Sequence, residues 1–317
     1  MKISYSAFDT FNRCPLQYKF SYIDRIKVPQ KPEFFFGGLI HSIVQFSLTK
    51  DPIVPPLEEL LKILKEKWQP DIFPSKKESD QYFDYGVDML KKFHTGFRPG
   101  LRNIVATEKR FQIPLNDKHT LSGIIDRIDK LPIGSFEVID YKTSKKMPSQ
   151  IDVDKDKQLC IYNLAINSLW PDAKDIRLTL YFLKFDTQIT TKRRPDEIES
   201  IKDEIINTAE KIEVATQRAA SLGLEKEFLP KDNALCDWCD YQKMCPLKKH
   251  KFAPDDNLEE NTIDDIVADY LAAHDTINNL EPKIHEHFDS QKIERFFHKS
   301  GTLTRGSKRK LTVRKLN

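Results

Sequence analysis

Helical spacing dominates the first third of the chain, and the period changes near residue 100. Ser4 and Ser6 can cap a helix running through Phe8 and Phe11; Cys14-Pro15 interrupts it, and apolar spacing resumes at Leu16, Phe20 and Ile23. Gly37-Gly38 is expected to open a second helix carrying Leu39, Ile43, Val44 and Phe46. Pro55-Pro56 starts a third, striped by Leu57, Leu60, Leu61 and Leu64, because proline fits where the first helical amides have no partner. A fourth is expected over 79–93. Residues 104–115 are strand-like, Asn116-Asp117 turns the chain, and 120–129 alternates with a two-residue period. Pro132 to Ser135 is another turn, and 136–142 a third strand. Helix returns over 152–169, strand over 176–185 with a partner over 188–192, and a long polar helix over 195–222. Residues 236–246 form a cysteine-rich knot, 262–290 is helical, and the end of the chain looks like a short hairpin. The mixture predicts an α/β fold.

With 317 residues, 39% hydrophobic and 31% charged, the chain holds one elaborated domain or two and is neither disordered, collagen-like nor disulfide-dense. Its longest apolar run, Phe34 to Ile40, is too short to span a bilayer, and Met1 to Ser6 lacks a secretory apolar core, so a cytoplasmic protein is expected. The net charge of +3 hides an asymmetry: Gln291 to Asn317 carries nine Lys/Arg against one acid, while the rest sums to −5. A basic end on an acidic body suits either a polyanion partner or a solvated tail.

The informative chemistry sits on the central strands. Alternation places Phe136, Val138, Asp140 and Lys142 on one face, and Ile124, Asp126 and Ile128 on one face of the strand before. Each strand thus carries charge on a face its apolar neighbours mark for burial, and a buried carboxylate demands a partner. Mg²⁺ or Mn²⁺ is one such partner, held by Asp126 and Asp140 with a backbone carbonyl near Tyr141; a plain Asp–Lys ion pair at a strand end is the other. Glu108, on the strand before, is a candidate further acid of this site, with a salt bridge to Arg110 or Arg127 the favoured reading. His285-Glu286-His287 lacks the spacing of a zinc helix. Taken alone, His41 is an ordinary packed or surface histidine, and Gln158 and Tyr162 are merely helix residues sharing a face.

Asp126, thirteen residues, then Asp140-x-Lys142, preceded by Gly123-x-x-Asp126-Arg127-Ile128-Asp129, resembles the core of the PD-(D/E)XK nuclease superfamily, and within it the RecB-type branch. Gly37-x-x-x-His41, Gln158-x-x-x-Tyr162 and the amino-terminal stretch Ser4 to Phe20 resemble further motifs of that branch, in its order. The resemblance implies a restriction-endonuclease-like core, a central mixed sheet flanked by helices, over residues 1–250. It also implies metal ligation by His41, Asp126, Asp140 and the Tyr141 carbonyl, and catalytic roles for Asp126, Asp140, Lys142, Gln158 and Tyr162. Residues 251–317 are left as a helical extension with a basic hairpin, where Lys308, Arg309 and Lys310 are candidate DNA contacts.

Of five cysteines, Cys236-x₂-Cys239-x₅-Cys245 supplies three thiolates in a tight loop. Clustered cysteines in a cytosolic chain point to metal rather than disulfides, and spacing alone leaves Zn²⁺ and an iron–sulfur cluster open. The resemblance implies that Cys14 is the fourth ligand of a [4Fe–4S] cluster stapling the ends of the nuclease domain. Cys160 is left over as a small core residue. The expected activity is a metal-dependent deoxyribonuclease acting on single strands or ends in DNA repair or CRISPR adaptation. The alternative is a non-catalytic nucleic-acid-binding or adaptor module with structural zinc. No Gly-x₄-Gly-Lys-Ser/Thr loop is present, so these residues carry no recognisable ATPase, and the resemblance implies a helicase, fused or separate, or CRISPR adaptation proteins as partners.

Overall fold

In the computed structural model, residues 1–50, 53–96, 102–222, 227–252, 263–298 and 300–315 are described. Ser4 accepts a hydrogen bond from the Ala7 amide at 3.2 Å, so α1 (Tyr5–Arg13) starts at its capping residue. Ahead of it lies a strand that helical spacing did not reveal, β1 (Lys2–Ser4), which buries Ile3 and pairs parallel with residues 120–122. Cys14 is extended and breaks the helix before α2 (Pro15–Tyr18) and a π-turn (Lys19–Ile23). The next helix, α3 (Pro32–Leu48), begins five residues before the expected Gly37-Gly38 start, because Pro32 supplies its first turn. α4 (Leu57–Lys67) and α5 (Lys76–Gly96) follow.

The sheet is then built from β2 (Ile104–Pro114), β3 (Thr120–Leu131), β4 (Ser135–Lys142), β5 (Ile176–Phe182) and β6 (Thr187–Thr191). Its order is β1-β3-β4-β5-β6, with β2 on the other edge of β3 and β4 parallel to β5. The helix expected over 152–169 is two, α6 (Gln150–Asp154) and α7 (Lys157–Leu169). Ser149 and Asp152 form a capping box at the first, and Asp156 breaks the run by capping the second through the Leu159 amide at 3.1 Å. α8 (Pro195–Leu222) matches its expected bounds.

Apolar side chains cover both faces of the sheet. Phe136, Val138, Leu178 and Phe182 pack with α1, α7 and α8, while Ile139, Tyr141, Tyr181 and Leu183 pack with α3, α4 and α5. β4 therefore keeps the alternation its sequence predicts. β3 does not. Ile125 and Ile128 reach the same core, so the two-residue period slips once between them, and Ile124 (37% exposed) and Ile128 (buried) do not share a face. Facing this slip, Glu108 of β2 adopts a left-handed φ of 45°. The edge of β3 also changes hands here: β1 pairs with 120–122, β4 with 127–131, and 123–126 lies between.

Gly123 stands opposite Phe111, and a Cβ there would lie 2.6 Å from the ring. Gly123→Ala is expected to destabilise the fold by about 1–3 kcal/mol, read as a lower urea midpoint at unchanged slope.

The chain divides into two units, Met1–Phe252 and Ala253–Asn317. The second contains α9 (Ile263–Gln291), whose expected start at Thr262 lies outside the described residues. The terminal hairpin is instead a three-stranded antiparallel sheet, β7 (Arg295–His298), β8 (Gly301–Arg305) and β9 (Leu311–Lys315), closing on buried Phe288. Lys308 and Arg309 form the β8–β9 turn with φ of 60° and 61°.

Candidate active site

Where β3 leaves β4, the Tyr141 amide has no strand partner on β3 and donates instead to Asp126 Oδ2 at 2.9 Å. The same carboxylate oxygen lies 3.3 Å from His41 Nδ1, on α3. His41 gets there because Gly37, one turn earlier, lets α3 pass close to the end of β4: a Cβ on Gly37 would sit 3.3 Å from Thr143 Oγ1. The turned backbone at Glu108 completes the set, and ligand atoms of His41, Glu108 and Asp126 all lie within 4.8 Å of one another. Among the described residues this is the one group of its kind.

The electrostatics are those of an anionic pocket. Burial disfavours a charge on His41, but its bond to Asp126 and the nearby carboxylate charges outweigh this and hold its pKa above the ordinary value. Burial, and then the Asp126 charge, push the Glu108 carboxyl up. Two carboxylates and an imidazole that repel or protonate one another suit a hard divalent cation. Glu108 thus stands in the pocket, the less favoured of its two sequence readings, rather than in a salt bridge; Arg127 turns to Asp129 at 2.6 Å and to the Tyr141 hydroxyl at 3.3 Å.

Asp140 lies outside that tight group, in a ring of its own. Its Oδ2 is 2.6 Å from Lys142 Nζ, which donates to Gln158 Oε1 at 3.1 Å. Gln158 Nε2 donates to Tyr162 Oη at 2.8 Å, and Tyr162 returns a bond to Asp140 Oδ1 at 3.0 Å. Gln158 and Tyr162 sit one turn apart on α7, which places both over the end of β4. Burial raises the Asp140 pKa against the pull of Lys142. Burial also works against the Lys142 charge, but Asp140 overrides it and holds the ammonium protonated. Tyr162, buried beside Asp140, stays far above the ordinary tyrosine value and remains a donor. Asp140 Oδ2 is buried and, Lys142 contact apart, has no well-directed hydrogen bond, so it retains acceptor capacity for a cation.

The structure brings the remaining candidates together unevenly. Cys14, Cys236, Cys239 and Cys245 line one cavity although Cys14 is 222 residues from the next. Leu16, Phe20 and Tyr241 pack beneath them, and the Lys231 and Asn233 amides point at Cys14 Sγ (3.5 Å) and Cys236 Sγ (3.4 Å). Cys160 lies elsewhere, buried and accepting from Arg193 Nε at 3.0 Å. In the second unit, Arg309 is bound to Asp289, which also pairs with Arg305 at 2.5 Å, so part of the terminal charge is neutralised within that unit.

A family model of the PD-(D/E)XK nuclease superfamily matches residues 2–246. One of the subunits of the ATP-dependent helicase/deoxyribonuclease of Streptococcus agalactiae is 26% identical over 163 residues, covering 49% of this chain and 15% of that protein. Its counterpart from Streptococcus pyogenes is 25% identical over 185 residues, covering 54% of this chain and 17% of that protein. The chain thus spans a small fraction of the length of these relatives. A crystal structure from Eubacterium rectale, named provisionally as an exonuclease, superposes with a TM-score of 0.44 and 12% identity, covering 76% of this chain and 87% of that one. Among the described residues no helix is long and apolar enough to cross a membrane. The family match takes in His41, Glu108 and Asp126, the Asp140 ring and all four cysteines of the cavity, and the chain belongs to the PD-(D/E)XK nuclease superfamily.

Proposed function

We propose that the chain is a metal-dependent deoxyribonuclease that hydrolyses phosphodiester bonds in single-stranded DNA or at DNA ends, working exonucleolytically. One observation carries this reading: an anionic pocket of His41, Glu108 and Asp126 abuts a ring that holds a protonated lysine beside a buried aspartate. Mg²⁺ or Mn²⁺ would be held by His41, Asp126 and Glu108, with Asp140 and the Tyr141 carbonyl as further oxygens. Such a cation, when bound, acidifies a water and neutralises phosphoryl oxygens. The protein's own contribution is placement. Lys142, fixed by Asp140 and Gln158, sets a positive charge where the attacked phosphate gathers negative charge. Tyr162 holds the Asp140 carboxylate in one orientation, and Gln158 ties the two halves of the ring.

The four cysteines are proposed to hold a [4Fe–4S] cluster in preference to Zn²⁺. Four thiolates suit either group, and what favours the cluster is the likeness of the Cys14 … Cys236-x₂-Cys239-x₅-Cys245 pattern to the RecB-type branch. The cluster's role is structural, tying the segment after α1 to the 236–246 loop. The proposed partners are DNA and a separate helicase polypeptide, which the names of the streptococcal relatives support; CRISPR adaptation proteins are the other setting that the RecB-type likeness implies.

Labelled DNA incubated with purified protein is expected to be cut only when Mg²⁺ or Mn²⁺ is added, and Asp140→Ala and Lys142→Ala are expected to abolish cutting. Equal cleavage by all three proteins rejects the proposal. DNA binding without metal-dependent turnover in the unaltered protein would replace it with the non-catalytic module.

A further inference from the structure

The parallel pair β4–β5 sends two lysines past its carboxyl ends, on the side of the sheet that α3 and α5 cover. Lys142 and Phe182 are register partners, and the Leu183 amide donates to the Lys142 carbonyl at 3.0 Å. Lys145 follows three residues after Lys142, and Lys184 two residues after Phe182. Both ammonium groups converge on aromatic rings. Lys145 Nζ is 4.0 Å from the Tyr82 centroid and 5.5 Å from that of Tyr85. Lys184 Nζ is 5.0 Å from the same Tyr85 ring and 5.6 Å from Phe185.

This arrangement has no role in the chemistry above, and it is electrostatically incomplete. Two cations share one ring. The acid at hand, Glu33, accepts from the Tyr82 hydroxyl at 3.3 Å, and among the described residues neither lysine has a carboxylate within 4.0 Å. Ring faces hold ammonium groups in place without cancelling their charge, so the pair stays available to an anion. Phe185 is 38% exposed and adds an apolar face for a flat ring. The cluster lies beyond the carboxyl ends of β4 and β5, the end of the sheet that also carries Lys142.

We infer that Lys145, Lys184, Tyr85 and Phe185 form a rail for a single-stranded nucleic acid leading into or out of the active site. The lysines grip successive phosphates and Phe185 stacks on a base. The inference rests on the nuclease reading for what lies at the rail's end. Three residues of extended chain reach at most about 10 Å, so the grip falls within roughly three nucleotides of the attacked phosphate.

The test is binding without turnover. Full-length protein, with no added divalent cation, is titrated with a fluorescent oligothymidylate at several salt concentrations. For single strands each phosphate contact contributes about 0.7 to the salt slope, so Lys145→Gln/Lys184→Gln should lose about 1.4 of slope and roughly 10–30-fold in affinity at 0.1 M salt. Phe185→Ala should weaken binding at least about fivefold with the slope unchanged, because stacking releases no counterions. Lys62→Gln/Lys118→Gln, remote in sequence and exposed, serves as the control. A slope in the rail double variant equal to the unaltered protein's overturns the rail, as does an equal affinity loss on a blunt hairpin duplex or no measurable binding of the unaltered protein. Because no cleavage is read, failure here is separate from failure of the nuclease assignment, which the Asp140 and Lys142 variants decide.

Discussion

Asp126→Asn is expected to lower Mn²⁺-supported cleavage by about a thousandfold, at the upper end of what removing one preorganised electrostatic group costs. Asparagine keeps a carbonyl oxygen for the Tyr141 amide, so β3 and β4 should remain parted as they are and the melting temperature should move by no more than a few degrees. What goes is the charge that faces both His41 and Glu108. Glu108→Gln should behave differently, weakening Mn²⁺ binding about 10–100-fold, the size of effect known for groups supporting a metal site, with a smaller change once metal saturates. Protons compete for the same ligands. His41 must lose its proton to bind a cation, and its pKa is raised, so apparent Mn²⁺ affinity should fall as pH drops through a value above 6.5 and return as pH rises. Glu108, also raised, extends the loss to lower pH in the same direction. Titration calorimetry across pH checks this, and His41→Asn should remove the upper part of the dependence. Cleavage by Asp126→Asn within threefold of the unaltered enzyme would remove this carboxylate from the reaction.

How much of this could be seen in the residues depended on whether the backbone kept its period. On β4 it did: Phe136 and Val138 enter the core, and Asp140 and Lys142 follow on the same face, as alternation requires. On β3 the slip beside Asp126 defeats a period-two reading, and its cause lies across the strand, in a non-glycine residue with positive φ that no composition cue marks. The residues alone therefore weigh Glu108 below a salt bridge as a contributor to the site. His41 was found through the Gly-x-x-x-His likeness, yet the physical use of Gly37, a close pass against Thr143, appears only when α3 and β4 are packed together. The third terminal strand was hidden because Lys308 and Arg309 take left-handed conformations that Asn-Gly or Asp-Gly would have announced. Conversely, Pro15, Pro56 and Pro195 marked element starts reliably, since a missing N–H costs nothing there.

Cys14→Ser should be the most damaging change to the fold. Joining Cys14 to the 236–245 loop closes a segment of 222 residues, and the chain-entropy estimate for a cross-link of that length is on the order of 5 kcal/mol. For a domain of this size that corresponds to a fall of about 10 °C or more in melting temperature, or to little soluble protein. Without the staple the two segments are joined by the small cluster of Leu16, Phe20 and Tyr241, by the Ser21–Tyr241 hydroxyl pair at 3.1 Å and by the Lys31–Asp240 ion pair at 2.9 Å. Because a variant that does not fold says little about ligation, the decisive companion is Cys160→Ser, which removes a thiol outside the cavity. It should retain the metal content, visible absorption and melting temperature of anaerobically purified protein, whereas Cys14→Ser or Cys239→Ser should lose all three together. Iron with matching acid-labile sulfide supports the cluster; zinc in a colourless protein replaces it while leaving the staple in place. Full stability and metal content in Cys14→Ser would show that the amino-terminal segment is held by packing alone.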